Sequence, residues 1–156
     1  MTFFDRQGHW DDYVASHLTA LRAACRLRDR VGQAHTHRNL GRAYTRLGRY
    51  PDADTHLRQA LNPFQERGDR AGEAQVHGNL SWLQERQERY LEALVHSQRA
   101  LTLYRQLDDA TMEANALNTV GWQYALLGRY DRAAQHCGQA LMLLTAAGDR
   151  FGEAVT

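Results

Sequence analysis

Two groups of residues in this chain have the types and spacing for chemistry. His56, His96 and His136 stand forty residues apart, and Arg38, Arg42 and Arg46 stand four apart. Histidine binds metals and titrates near neutral pH. Arginine grips a carboxylate with a two-pronged guanidinium. The histidine spacing argues against a shared ion. Packed helices lie about 8–10 Å apart, whereas a zinc–nitrogen bond is about 2.0–2.1 Å. These three histidines therefore read as packing residues with a hydrogen-bonding edge. His35 and His37 would leave a helix on different faces and make a poor chelate, and no HExxH occurs. No metal and no cofactor is expected. The arginines differ, because i,i+4 steps place them on one face of a helix.

Enzymatic chemistry finds little support. All 19 basic residues are Arg, and there is no Lys. A phosphate-binding P-loop and Schiff-base catalysis both need Lys, so both are excluded. The GxSxG motif is absent, and no local Ser–His–Asp pattern occurs. Asp52, Asp54, Glu85 and Glu92 fall at helix starts or on polar faces, where acids cap and solubilise. A binding module without catalysis is expected.

Composition narrows the partners. Net charge is +1, so direct binding to nucleic acid or to an anionic membrane is not expected. No apolar run approaches the ~20 residues that span a bilayer. The opening "MTFFDRQGHWDDY" has no basic segment followed by an apolar one, unlike a secretory signal. Cys25 and Cys137 form no CxxC and read as free thiols in a reducing cytosol. A cytoplasmic location is expected. Ile is missing as well as Lys; both have AT-rich codons, which points to GC-rich coding DNA.

The elements that position these residues follow from a repeat. "RLGRYPDADTHLRQAL" from Arg46 returns forty residues on as "RQERYLEALVHSQRAL", and again as "LLGRYDRAAQHCGQAL". Tyr50, Tyr90 and Tyr130 align, as do Ala53, Ala93 and Ala133, and Ala60, Ala100 and Ala140. Each unit reads as two helices. Val31, Ala34, Leu40, Gly41, Ala43, Tyr44 and Leu47 follow a 3.6 period. Gly48 can end that helix in the left-handed conformation, and Pro51 suits the first turn of the next. Ala53, Leu57, Ala60, Leu61 and Phe64 form the second stripe. Gly68 ends it, and Asp69 can cap the helix after it. Small residues at Gly41, Ala53 and Ala60 let helices approach closely, with Tyr44 and Leu57 filling the gaps. A single helix pair cannot bury its apolar faces, but a stack of pairs can. The second unit is the weakest copy, with Ser81 for Gly, Gln84 for Tyr and Gln87-Glu88 for Leu-Gly. Pro63 falls inside a helix and predicts a kink, or two helix ends meeting, near Asn62.

Leu40-Gly41, Tyr44, Ala53, Leu57 and Ala60, repeated with small variation, resemble tetratricopeptide repeats of the forty-residue variety. The resemblance departs at His37, His77 and Leu117, where an aromatic residue is common. It implies an all-α, right-handed superhelical solenoid in one domain. The expected division is a half repeat at 9–28, full repeats at 29–68, 69–108 and 109–148, and the start of another at 149–156. "GDRAGEA", "NTVGWQYALLGRY" and "LGRYDRAAQHCGQAL" also resemble the C-terminal repeats of large actinobacterial regulators, including the Streptomyces antibiotic regulatory proteins. There the repeats follow an NB-ARC nucleotide-binding domain. None of the motifs of that domain is present here.

The resemblance further implies that the first helix of each pair lines the inner groove. Carried over by position, the groove residues are His35, Arg38, Arg42, Thr45 and Arg46; then Gln75, Gly78, Asn79, Trp82, Glu85 and Arg86; then Asn115, Asn118, Trp122, Ala125 and Leu126. In one reading the arginines are a solvated face and the tryptophans complete the core. In the other, Arg38, Arg42, Arg46 and Arg86 with Trp82 and Trp122 make a basic groove with aromatic anchors for an acidic peptide. Partners would be a protein or peptide, or other domains of a parent chain. A sensing or autoinhibitory module of a regulator is the first expectation, and a free-standing adaptor the second. Leu126, Leu127, Leu141 and Leu144 are expected to expose apolar surface at the C-terminal end, giving end-to-end self-association.

Overall fold

The computed structural model describes residues 3–153, with side chains over 9–148. Among these residues every regular element is an α-helix: α1 (Phe3–Arg26), α2 (Arg30–Arg46), α3 (Tyr50–Glu66), α4 (Arg70–Glu85), α5 (Tyr90–Arg105), α6 (Ala110–Leu126) and α7 (Tyr130–Glu153). Each helix packs on the one before it and the one after it, and α2 additionally meets α4. The result is an all-α solenoid. Side chains of the further repeat expected at 149–156 lie outside the described residues. The helix of α7 itself runs on through Gly148 to Glu153.

Each of the six connections turns on one left-handed residue. These are Arg28, Gly48, Gly68, Glu88, Asp108 and Gly128, with φ between 53° and 73°. The turn returns the chain by one repeated bond, from the N–H of Arg49, Asp69, Arg89 and Arg129 to the carbonyls of Tyr44, Phe64, Gln84 and Tyr124. Glycine adopts this conformation freely, and other residues pay for it with a steric cost. At three starts an aspartate follows as cap: Asp29, Asp69 and Asp109 accept from the N–H of Gly32, Gly72 and Met112 at 2.8–2.9 Å. Pro63 does not split α3, which runs unbroken to Glu66. The bond it forfeits would have gone to the carbonyl of Gln59, an exposed residue whose carbonyl water can satisfy.

Packing inside each pair rests on one matched contact. A Cβ on Gly41 would lie 2.5 Å from Leu57 Cγ and 3.2 Å from the Ala53 carbonyl. A Cβ on Gly121 would lie 2.8 Å from Cys137 Sγ. Partner and glycine are sixteen residues apart in both. The same sixteen-residue register places Ser81 on α4 and Ser97 on α5, and both are buried. The larger side chain on α4 is offset by a smaller one on α5. The second pair nevertheless has a polar interior, with Glu73, His77, Ser81, Gln84 and Ser97 all buried. Ser81 Oγ and Gln84 Oε1 find no hydrogen-bond partner among the described residues. Two apolar clusters lie either side: one runs from Val14 to Leu83 and the other from Leu94 to Ala140.

Gly41→Ala should destabilise by about 1–3 kcal/mol through overpacking against Leu57. Gly78→Ala, where nothing lies within 4 Å of the added Cβ, should be neutral or stabilising; denaturant unfolding of both variants compares them. Glu88→Gly should stabilise by about 0.5–1 kcal/mol, because relief of left-handed strain exceeds glycine's entropic cost. Its thermal midpoint should rise by a few degrees, and an unchanged or lower midpoint would contradict the strain assignment.

Candidate functional site

A cleft of about 430 Å³ opens across the first helices of the three pairs. Arg38, Asn39 and Arg42 come from α2, Gln75, Gly78 and Asn79 from α4, and Met112, Asn115 and Thr119 from α6. Ser97, Ala100 and Tyr104 of α5 form part of the lining between α4 and α6. The two seams beside the cleft carry different side chains. A Cβ on Gly72 would lie 2.3 Å from the Phe64 ring, so α4 closes over Phe64 and leaves it 1% exposed. Forty residues on, Met112 stands for Gly72 and Tyr104 for Phe64. Met112 is exposed and Tyr104 half-buried, and both line the cleft.

The cleft is cationic and rich in amides. Arg38 donates to Gln75 Oε1 and, at 3.4 Å, to Asn39 Oδ1. Partial burial lowers the Arg38 pKa from its ordinary value, and Arg42 beside it acts in the same direction. Burial raises that of Tyr104. Among the described residues Arg38, Arg42, Arg46 and Arg86 have no carboxylate within 4 Å; the ion pairs use other arginines.

The expected groove residues divide. Arg38, Arg42, Gln75, Gly78, Asn79 and Asn115 line the cleft. Arg46 instead lies over the rings of Trp10 and Trp82, at 4.9 and 5.9 Å, outside it. His35 packs edge-on to Phe64. Arg86 and Asn118 are exposed but do not line the cleft. Trp122 is 54% exposed, so it does not complete the core, and Trp82 is half-buried. Thr45 is fully buried and donates to the Gly41 carbonyl. Glu85 accepts from Gln123 at 2.6 Å, and Ala125 and Leu126 are half-buried. Asn39, Met112, Tyr104 and Thr119 line the cleft without having been expected. Asn39, Asn79 and Thr119 share one register, so the repeat itself carried a signal for two of them.

The recurring histidines have partners that periodicity did not disclose. His37 and His56 face each other with Nδ1 atoms 2.8 Å apart, and His77 and His96 do so at 3.1 Å. One ring of each pair must donate its Nδ1–H and the other accept. Leu117 replaces the first histidine in the third unit, where Tyr124 stacks on His136. Burial, with the facing His56, lowers His37 from 6.5 to about 4. Burial, with the facing His96, brings His77 to about 4, against an opposing pull from Glu73. Burial also lowers His56 and His96. Glu73 is itself buried and accepts from Gln65 and Arg99.

A tetratricopeptide-repeat family model matches residues 32–106 and again 72–146. The chain belongs to the tetratricopeptide repeat family. Among solved structures it is similar to BtubC (BKLC) from P. vanneervenii, with a TM-score of 0.82 and 22% identity over 93% of this chain. The match spans 60% of that longer chain. It is also similar to the TPR domain of Arabidopsis FLU, with a TM-score of 0.68 and 19% identity over 75% of this chain and 98% of that one. At these identities the likeness concerns the fold. No curated protein matches. No described helix is long and apolar enough to cross a membrane.

The histidine pairs predict acid sensitivity. Their folded pKa values lie below 6.5, so between pH 6.5 and about 4 the unfolded chain binds more protons. Stability should therefore fall as pH drops through that window. Thermal midpoints measured from pH 7 to pH 4 should decline, and the decline should flatten in a variant carrying His37→Leu and His77→Leu. An equal slope in both proteins would place the acid sensitivity elsewhere.

Proposed function

We propose that the chain is a non-catalytic protein-interaction module whose cleft takes an acidic peptide segment. The observation that carries this reading is the pair Arg38 and Arg42, set in a cleft with no carboxylate within 4 Å among the described residues and ringed by Gln75, Asn79 and Asn115. A guanidinium held by neutral amides and by no internal carboxylate keeps its capacity for a carboxylate from outside. Side-chain amides offer both donor and acceptor to a peptide backbone. Trp82 and Trp122 would give the segment contact area along the rim, and Arg46 and Arg86 further charge.

The wider role we favour is sensing or autoinhibition within a larger cytoplasmic regulator. The motifs "GDRAGEA" and "NTVGWQYALLGRY" support it through their similarity to regulator repeats. The acidic segment would then belong to a signalling protein or to another domain of the same parent. A free-standing adaptor uses the same groove, and the adjoining reading frame separates the two: an upstream nucleotide-binding P-loop marks the regulator.

The binding test is a titration of tryptophan fluorescence with a short Glu- and Asp-rich peptide and its Gln- and Asn-substituted twin. The native chain should bind the acidic peptide, more weakly as salt rises. Arg38→Ala with Arg42→Ala should lose at least about tenfold in affinity, a little over 1 kcal/mol, while its circular dichroism stays native. Equal affinity in the folded double variant, or equal affinity for both peptides, would refute the cleft assignment.

A further inference from the structure

One side chain of the first helix reaches the cleft through an amide. His17 lies half-buried on α1, with its ring stacked on Tyr13 at 4.0 Å. Its Nδ1 is 2.9 Å from the Tyr13 carbonyl, and its Nε2 is 3.3 Å from Asn39 Nδ2 on α2. Asn39 in turn accepts from Arg38 at 3.4 Å, and Arg38, Asn39 and Gln75 line the cleft. The partners fix the proton positions. A carbonyl oxygen only accepts, so Nδ1 carries the hydrogen. In a neutral ring Nε2 must then accept, and the Asn39 amide must point an Nδ2–H at it. That leaves Asn39 Oδ1 for the guanidinium. The neutral ring of His17 therefore sets which way Asn39 faces, and so gives Arg38 a second acceptor besides Gln75.

Protonation reverses that arrangement. A charged imidazole donates from both nitrogens, so Nε2–H would meet Nδ2–H of Asn39, donor against donor. Turning the amide over restores a bond to His17 and points the NH2 group at Arg38. Arg38 then loses one of its two acceptors, and a positive charge is added behind it. We propose that His17 is a positioning residue of the cleft, which sets Arg38 through the Asn39 amide and makes capture of an acidic segment stronger in mild acid. The proposal rests on the cleft taking such a segment. Histidine is the side chain whose charge ordinarily changes near neutral pH. The titratable and charged groups about the ring are Tyr13 on α1 and, on α2, Arg38 behind the amide with Arg42 one turn further on. Among the described residues no carboxylate oxygen lies within 4 Å of the ring nitrogens. Forty and eighty residues on, the position holds Leu57 and Ser97, which have no ring to titrate.

Nitrogen-15 NMR of the 156-residue chain tests the relay without any ligand. Between about pH 7.5 and 5.5 the side-chain amide of Asn39 and the guanidinium of Arg38 should shift together with the His17 ring. The neutral ring should show its hydrogen on Nδ1. In His17→Phe, which keeps a ring against Tyr13, both shifts should vanish. In Asn39→Ala the His17 ring should still titrate while Arg38 stays still. An Asn39 or Arg38 signal that does not follow the His17 ring, or that moves equally in His17→Phe, would overturn the proposal whatever the chain binds. Titration with the Glu- and Asp-rich peptide reads the consequence, with circular dichroism confirming folded chain at each pH. The peptide carboxylates stay ionised over most of this range. Affinity should rise about two- to fivefold from pH 7.5 to 5.5 in the native chain, and by clearly less in His17→Phe. An equal rise in both would also overturn the proposal. Absence of binding at every pH would refute the acidic-peptide reading, and with it the predicted gain in capture; the NMR relay distinguishes that failure from a failure of the His17–Asn39–Arg38 coupling.

Discussion

Everything in this solenoid depends on how closely the two helices of a pair can approach. At Gly41 the gap to Leu57 is too small for a methyl group, and the same holds for Gly121 against Cys137. Close approach lets Ala53 and Ala60 bury completely and puts Tyr44 over the second helix. Interiors this dense leave little room for volume change. Size at one position is therefore tied to size sixteen residues later. Ser81 with Ser97 keeps the sum similar while exchanging apolar for polar surface. The second pair thus joins two apolar clusters through a polar interior.

The cleft lies where the first helices of the three pairs meet different seams. Between the first two pairs, Gly72 lets α4 settle over Phe64. Between the next two, Met112 and Tyr104 stand at those positions and line the cleft. The cleft has α5 as part of its lining. The arginines that reach this space come from α2, which meets α4 directly. Arg46, one turn further along α2, leaves the cleft and lies against Trp10 and Trp82. Those contacts fix the rim of the groove, since a cation over an indole face is attracted at these distances.

The histidine pairs belong to the seam rather than to the groove. They span from the first helix to the second of a pair, where the third unit has Leu117 and a Tyr124–His136 stack. One N–H donated across each pair satisfies two partly buried ring nitrogens at once, which makes the arrangement tolerable within the seam. The same burial disfavours the charged rings. A structural device of the seam is in this way coupled to pH.

Much of the architecture could be read directly from the sequence. The period of forty, the 3.6-residue stripes, the turn glycines and the capping aspartates determined seven helices in a stack, because those signals are local and act within a few residues. Arg38 and Arg42 share a helix face for the same reason, being one turn apart on a single helix. The His37–His56 pair, the Gly72–Phe64 and Met112–Tyr104 contrast and the His17–Asn39 contact were not legible. Each depends on which side chains meet across a seam, and the repeat period says nothing about the distance between two different positions of a unit. Local sequence determined the helices and where they end. Only tertiary packing decided which arginines share a cleft and which partner each histidine meets, because those outcomes turn on ångström-scale fits between side chains far apart in the chain.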